Sequence, residues 1–267
     1  MSTRLHRALL VSALLLASCS SGGEHVGHNM SSTPAKPSIP RKAVFTALDK
    51  TSGSAIAFTI KSPEGAIFTD YGVAHTKEMH VISIRSDLTH FEHLHPTRDK
   101  DGMWSVPHEF KDPGKYWIFA DFVNKAGESK LVRLSRAIGE QKTTAIVWDK
   151  QNLNKTGEKI VRTSGDLTFT VSAEASADGT TFFYDITNTK TGKPVQQQTY
   201  LGEKGHSVII GANASYRRLH PHKEYVGYKD SDPPRFFLPT LPGGKYRIFT
   251  EIKVADVVHT IVADLQV

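Results

Sequence analysis

A single cysteine in 267 residues excludes a disulfide framework and any cage of zinc thiolates, so stability must come from burying apolar side chains. The chain is long enough for that, as one large domain or two of ordinary size. Long hydrophobic runs are also lacking. The one near the start, Leu9 to Ala17, is too short to span a bilayer, and no transmembrane candidate follows it. Beyond that leader no stretch keeps a helical period. Catalytic signatures are missing as well: there is no His-Glu-x-x-His, no phosphate-cradling glycine loop, no Gly-x-Ser-x-Gly elbow and no dinucleotide fingerprint, so the chain is not expected to be an enzyme. A hydrolytic zinc site with His and Asp ligands on separate loops is the catalytic alternative that leaves no local signature. Charge is not concentrated either. The 33 Lys and Arg against 27 Asp and Glu give a formal +6, but they are scattered without a block of one sign. Such a surface is solvated and favours anionic lipid head groups, and without a basic stripe interleaved with aromatics nucleic acid is not an expected partner.

What is present begins at the N-terminus. Arg4 and Arg7 precede the apolar run, and small residues follow it, the layout of a secretory signal. The string Leu16-Ala17-Ser18-Cys19 resembles the lipobox of bacterial lipoproteins. That resemblance implies a signal peptide over residues 1–18, cleavage before Cys19, diacylation of its thiol and acylation of the new N-terminus with a chain such as palmitate. The mature protein is then expected to be anchored to the membrane without spanning it. With Cys19 carrying lipid, no catalytic thiol remains. Ser20 in the next position resembles outer-membrane sorting, which in a Gram-negative cell implies the cell envelope, on the outer membrane and facing the periplasm.

Residues 19–42 are rich in Ser, Gly and Pro and read as a flexible tether. It contains His25, His28 and Met30, a string able to capture a soft or borderline metal, though three residues in a linker also arise by chance.

From there the pattern is β throughout. Ala55 to Ile60, Met79 to Ile84, Tyr116 to Val123, Leu167 to Val171 and Tyr246 to Val254 carry β-branched and aromatic residues, with Gly, Pro, Asp and Asn clusters between them. Two segments share their landmarks. Ile60 lies 20 residues before His80, as Ile186 does before His206. Leu94-His95-Pro96 answers Leu219-His220-Pro221, and Gly114-Lys115-Tyr116 to Asp121 answers Gly244-Lys245-Tyr246 to Glu251. A tandem duplication follows: an all-β chain of two antiparallel β-sandwiches, immunoglobulin-like or cupredoxin-like, over residues 43–139 and 166–267, with 140–165 as connector. Tyr116 and Tyr246, each after a Pro-Gly turn, match a tyrosine corner.

Histidine carries the chemistry. Six of the thirteen lie between His75 and His108. Strand alternation puts His80 on one face with Ile82 and Ile84, and His206 with Val208 and Ile210, and we take that face as the core face. His93 and His95 share a face if the strand there is extended, and two strand ends then bring His80 toward His95, and His206 toward His220, at the mouth of each sandwich. Imidazoles so placed suit copper, zinc or nickel. The third ligand is open: His93, His75, Met79 or Asp121 in the first half, His222 or Glu251 in the second. Alternation argues against Glu251, which shares a face with Arg247 and Lys253 and so points to solvent. The alternative is that these histidines are hydrogen-bonded structural residues.

His80 through Pro96, with Gly102, Pro113-Gly114-Lys115-Tyr116 and Phe119-Ala120-Asp121-Phe122, resembles a group of bacterial envelope proteins with cupredoxin-like or immunoglobulin-like domains associated with copper and other heavy metals. The resemblance covers residues 75–123 and echoes over 204–254. It implies binding, buffering or delivery of a transition metal, copper foremost. A blue-copper electron-transfer site needs a cysteine ligand, and the one cysteine is elsewhere. The competing function is a non-catalytic envelope module that recognises a protein or glycan partner, with Phe91, Tyr225 and Tyr228 as its aromatics.

Overall fold

The computed structural model describes residues 46–50, 52, 54–140, 144–151, 153, 157–221, 229 and 231–267, with only the backbone of Leu48, His220 and Pro221. Cys19, the tether histidines His25 and His28, Met30, His222, Tyr225 and Tyr228 lie outside the described residues. Sixteen strands and no helix are found among those described, and no helix there is long and apolar enough to cross a membrane.

The first half contains β1 (Thr46–Asp49), β2 (Ala55–Lys61), β3 (His80–Arg85), β4 (Glu92–Leu94), β5 (Thr97–Arg98), β6 (Met103–Pro107), β7 (Gly114–Val123) and β8 (Ser129–Ile138). They form two antiparallel sheets, ordered β1-β2-β6-β5 and β4-β3-β7-β8. The second half contains β9 (Lys159–Ser164), β10 (Leu167–Ala175), β11 (Gly179–Asn188), β12 (His206–Gly211), β13 (Tyr216–Pro221), β14 (Arg235–Pro239), β15 (Lys245–Val254) and β16 (Val257–Gln266). Their order is β16-β15-β12-β13-β14-β11-β10-β9. That sheet is two four-stranded layers joined by β13, which pairs with β12 through residues 216–219 and with β14 through 220–221. In the first half the chain makes the same change of layer between β4 and β5, around His95 and Pro96. Proline suits that point, because it cannot donate to a continuing ladder. The stretch read as connector, 140–165, supplies β9, which pairs with β10.

Alternation along each strand explains the packing. Ile56, Phe58 and Ile60 of one layer face Val81, Ile118, Ala120 and Phe122 of the other, with Met79, Trp104 and Tyr116, to make the first core. Phe169, Val171, Phe182, Tyr184 and Phe236 face Ile209, Ile248, Ile252 and Ile261 to make the second. At the strand start after each Pro-Gly turn, the Tyr116 hydroxyl donates to the Asp112 carbonyl (3.0 Å) and the Tyr246 hydroxyl to the Pro242 carbonyl (2.8 Å), closing both corners.

A third cluster joins the halves. Ile82, Ile84, Trp117 and Phe119 of β3 and β7 pack on Val208, Ile210 and Phe249 of β12 and β15. Phe91 stacks on Phe249 with ring centres 4.3 Å apart, and in the reciprocal position Phe119 stacks on Tyr216 at 4.8 Å. The inner strands are therefore buried on both faces. His80 does not share the sandwich core, as the alternation suggested; it lies on the face that meets the other half, while Met79, Val81 and Ser83 point into the core of its own half.

With aromatic stacking in the contact, Ala43–Val267 forms one compact unit, and calorimetry of the protein is expected to show this unit unfolding in one transition. Phe119→Ala should lower the midpoint without splitting it, at a cost of about 3–5 kcal/mol. Two resolved transitions for this unit in the unmutated protein would instead show that each half stands alone.

Candidate metal centre

His80 opens β3, His93 lies on β4 opposite Ile82, and His95 follows where the chain changes layer. These placements bring three imidazoles together: their ligand atoms lie within 4.8 Å of one another, and their ring centres are 5.3 Å (His80 to His93), 5.0 Å (His80 to His95) and 4.7 Å (His93 to His95) apart.

The hydrogen bonds settle which nitrogens carry protons. His80 Nε2 is 2.9 Å from the Ala74 carbonyl, which can only accept. His93 Nδ1 is 2.6 Å from Glu251 Oε2, and the carboxylate likewise accepts. One nitrogen of each ring is thus committed, to the Ala74 carbonyl and to the Glu251 carboxylate. The nitrogens left over, His80 Nδ1 and His93 Nε2, face each other at 3.1 Å. A proton shared between them or a metal ion beside both satisfies that pair. His95 Nε2 adds a third: it is buried with no hydrogen-bond partner. N–H groups pinned to a carbonyl and a carboxylate, with bare nitrogens converging, are how proteins orient histidine ligands.

Burial holds His80, His95 and His206 neutral, the form that binds metal. It pushes His80 down to about 3, with the neighbouring His93, His95 and His206 adding to the effect, and His95 down to about 4, helped by His93 and Lys77. His206 is also pushed to about 3, by burial first and then His75.

The remaining candidates fall as follows. His206 does not form a separate mouth in the second half: its ring centre is 6.1 Å from His80 and 5.8 Å from His93, and its Nε2 donates to the Tyr200 carbonyl at 2.9 Å. The halves dock through the sheet faces that carry both histidines, which is why one cluster replaces two. The His220 backbone pairs with Phe237. His75 sits 4.9 Å from His206 and 6.0 Å from His80. Met79 is turned into the first core, 1% exposed. Asp121 lies opposite His80 in the β3–β7 register, but its carboxylate accepts from the Tyr216 hydroxyl at 3.0 Å and lies 3.7 Å from Arg218 Nε. Glu251 is a correction. It is buried on the face between the halves and orients His93, because the side shared with Arg247 meets the first half and not water. The signal that both faces were covered lay in the strands themselves, where runs such as Val208-Ile209-Ile210 and Ile118-Phe119-Ala120 leave no polar side. Ser83, His108 and Glu92 also line up, with 3.2 Å between successive polar atoms, but Ser83 is wholly buried and its hydroxyl is out of reach of a substrate.

A family model matches residues 43–137 and 155–267. The chain belongs to that family, domain of unknown function DUF8832. No curated protein matches this DUF8832 chain. Among solved structures it is similar to a candidate membrane-anchored protein of Corynebacterium diphtheriae, at 12% identity over 83% of this chain and 57% of that one, TM-score 0.21. It spans a little over half of that protein. It is also similar to a chimeric titin Z1Z2 tandem (13% identity, 85% and 98% covered, TM-score 0.19) and to carbohydrate-binding modules of the β-sandwich superfamily (12%, 82% and 97%, TM-score 0.20).

The buried neutral imidazoles set a pH dependence. Unfolded histidines titrate near about 6.5, so below that pH the unfolded chain takes up protons that the folded protein refuses until about 4 or about 3. Metal-free protein should therefore lose stability as pH falls from about 7 to about 5, above the range of ordinary carboxylates. Denaturant midpoints across that window check it, and a flat profile would mean that the rings are hydrated.

Proposed function

We propose that this DUF8832 chain is a lipid-anchored protein of the bacterial cell envelope that binds a transition metal through His80, His93 and His95, and buffers or delivers it without catalysis. One observation carries the proposal: ligand nitrogens of His80, His93 and His95 converge within 4.8 Å, with His80 Nδ1 and His93 Nε2 3.1 Å apart and the other nitrogen of each of those two rings held elsewhere. Imidazole–metal bonds of about 2.0–2.1 Å in a tetrahedral set separate ligand nitrogens by roughly 3.3 Å, close to that gap. Nitrogen ligands without thiolate suit a borderline divalent ion, and the general affinity order places Cu(II) ahead of Zn(II). The lipobox-like string ending at Cys19 supports the anchor, and the Corynebacterium protein named as a membrane-anchored candidate is compatible with an envelope location. The competing function, recognition of a protein or glycan, loses one of its aromatics, since Phe91 is stacked against Phe249 between the halves.

Titration of metal-stripped protein with Cu(II) and Zn(II) tests this. Binding near about 1 μM or tighter, abolished in His80→Ala/His95→Ala, is expected; equal binding by the double variant would move the site to the tether or remove it. Glu251→Gln keeps a hydrogen-bond partner for His93 but removes the charge, and should weaken affinity about 10–100-fold with the fold intact. Unchanged affinity would show that the carboxylate has no part in the site.

A further inference from the structure

The loops leading into the histidine cluster have the same build in both halves. Ala74 pairs with Lys77 across His75 and Thr76, and Tyr200 pairs with Glu203 across Leu201 and Gly202. All four central residues have positive φ: 49° and 66° in the first turn, 50° and 81° in the second. Such turns select Gly, Asn or Asp, so His75, Leu201 and above all the β-branched Thr76 are strained there. Each turn aims the carbonyl of its first residue at the histidine that opens the inner strand. Ala74 O accepts from His80 Nε2 and Tyr200 O from His206 Nε2, both at 2.9 Å. The two rings are thereby held in one tautomer, with Nδ1 bearing the lone pair. In His80 that lone pair is the one facing His93.

We infer that His206 is the fourth ligand of the centre, so that one ion is held by His80, His93 and His95 from the first half and by His206 from the second. This rests on the triad being a metal centre and extends it across the contact between the halves. With metal–nitrogen bonds of about 2.0–2.1 Å a ring centre lies roughly 3.2 Å from the ion, and four tetrahedral rings are then roughly 5.2 Å apart. The triad's separations of 4.7, 5.0 and 5.3 Å fit this. His206, at 5.8 Å from His93 and 6.1 Å from His80, stands outside the 4.8 Å group that the triad forms and has to move inward by roughly 1 Å to join it. Gly205 serves the same end. A Cβ there would come 2.6 Å from the Glu251 carbonyl oxygen, so the start of β12 approaches β15 this closely only without a side chain. Four ligands close the coordination shell, as in sites that store an ion or brace a fold. The ion also becomes a cross-link between the halves.

Cobalt(II) titrated into the metal-stripped full chain tests this, because four-coordinate cobalt absorbs far more strongly in the visible than five- or six-coordinate cobalt. One equivalent should give the four-coordinate spectrum, and His93→Ala should abolish it. His206→Ala should weaken binding by about 10-fold or more and collapse the intensity, added imidazole should restore it, and His75→Ala should change neither. Unaltered affinity and spectrum in His206→Ala, or a loss that follows His75 instead, would overturn the inference while leaving the triad. No cobalt binding by the unmutated protein would overturn both. If His206→Ala does not fold, X-ray absorption of the unmutated protein with one equivalent of zinc counts the imidazoles: four support the inference, three refute it.

Discussion

The contact of β3 and β7 with β12 and β15 is the constraint on which the rest of the structure depends. Each half already has a core between its own two layers. Docking covers the second face of the inner strands, and on that face lie His80, His206, Glu251, Asp121 and the stacked aromatic pairs. Removing His80, His95 and His206 from water is what keeps those rings neutral.

The contact is reciprocal in backbone but not in chemistry. Equivalent positions place His93 against Glu251 on one side and Arg218 near Asp121 on the other. The second pairing is of opposite charges, with the Tyr216 hydroxyl donating to the same carboxylate. The first pairing occupies only one nitrogen of His93 and turns the other toward His80. Divergence at a single pair of duplicated positions thus separates a structural ion pair from a site with ligands to spare.

Arg247 shows how firmly the halves and the intervening chain are tied. Its guanidinium donates to both oxygens of Asp264, at 2.7 and 2.9 Å, and also to the Val147 carbonyl at 2.6 Å and the Leu88 carbonyl at 3.3 Å. A half-buried, planar fork with every donor group directed at an acceptor has little freedom to let the surfaces slide. The rings of the centre are therefore fixed by contacts well outside it.

Much of the architecture was legible in the chain because strand alternation, turn chemistry and repeated landmarks are local. They identified antiparallel sandwiches, the matching Leu-His-Pro strings, and a shared face for His80, Ile82 and Ile84. They did not say what that face meets. The choice between a core, a solvent and a second sheet is invisible in alternation, so Glu251 was placed in water and His206 at a mouth of its own, and no local pattern linked Glu251 to His93 across 158 positions. The sequence by itself determined which residues share a face, since that follows from the two-residue period of a strand. Tertiary structure alone decided which faces meet, because docking depends on the summed shape and apolar area of two folded sheets, and with it the convergence of His80, His93, His95 and His206.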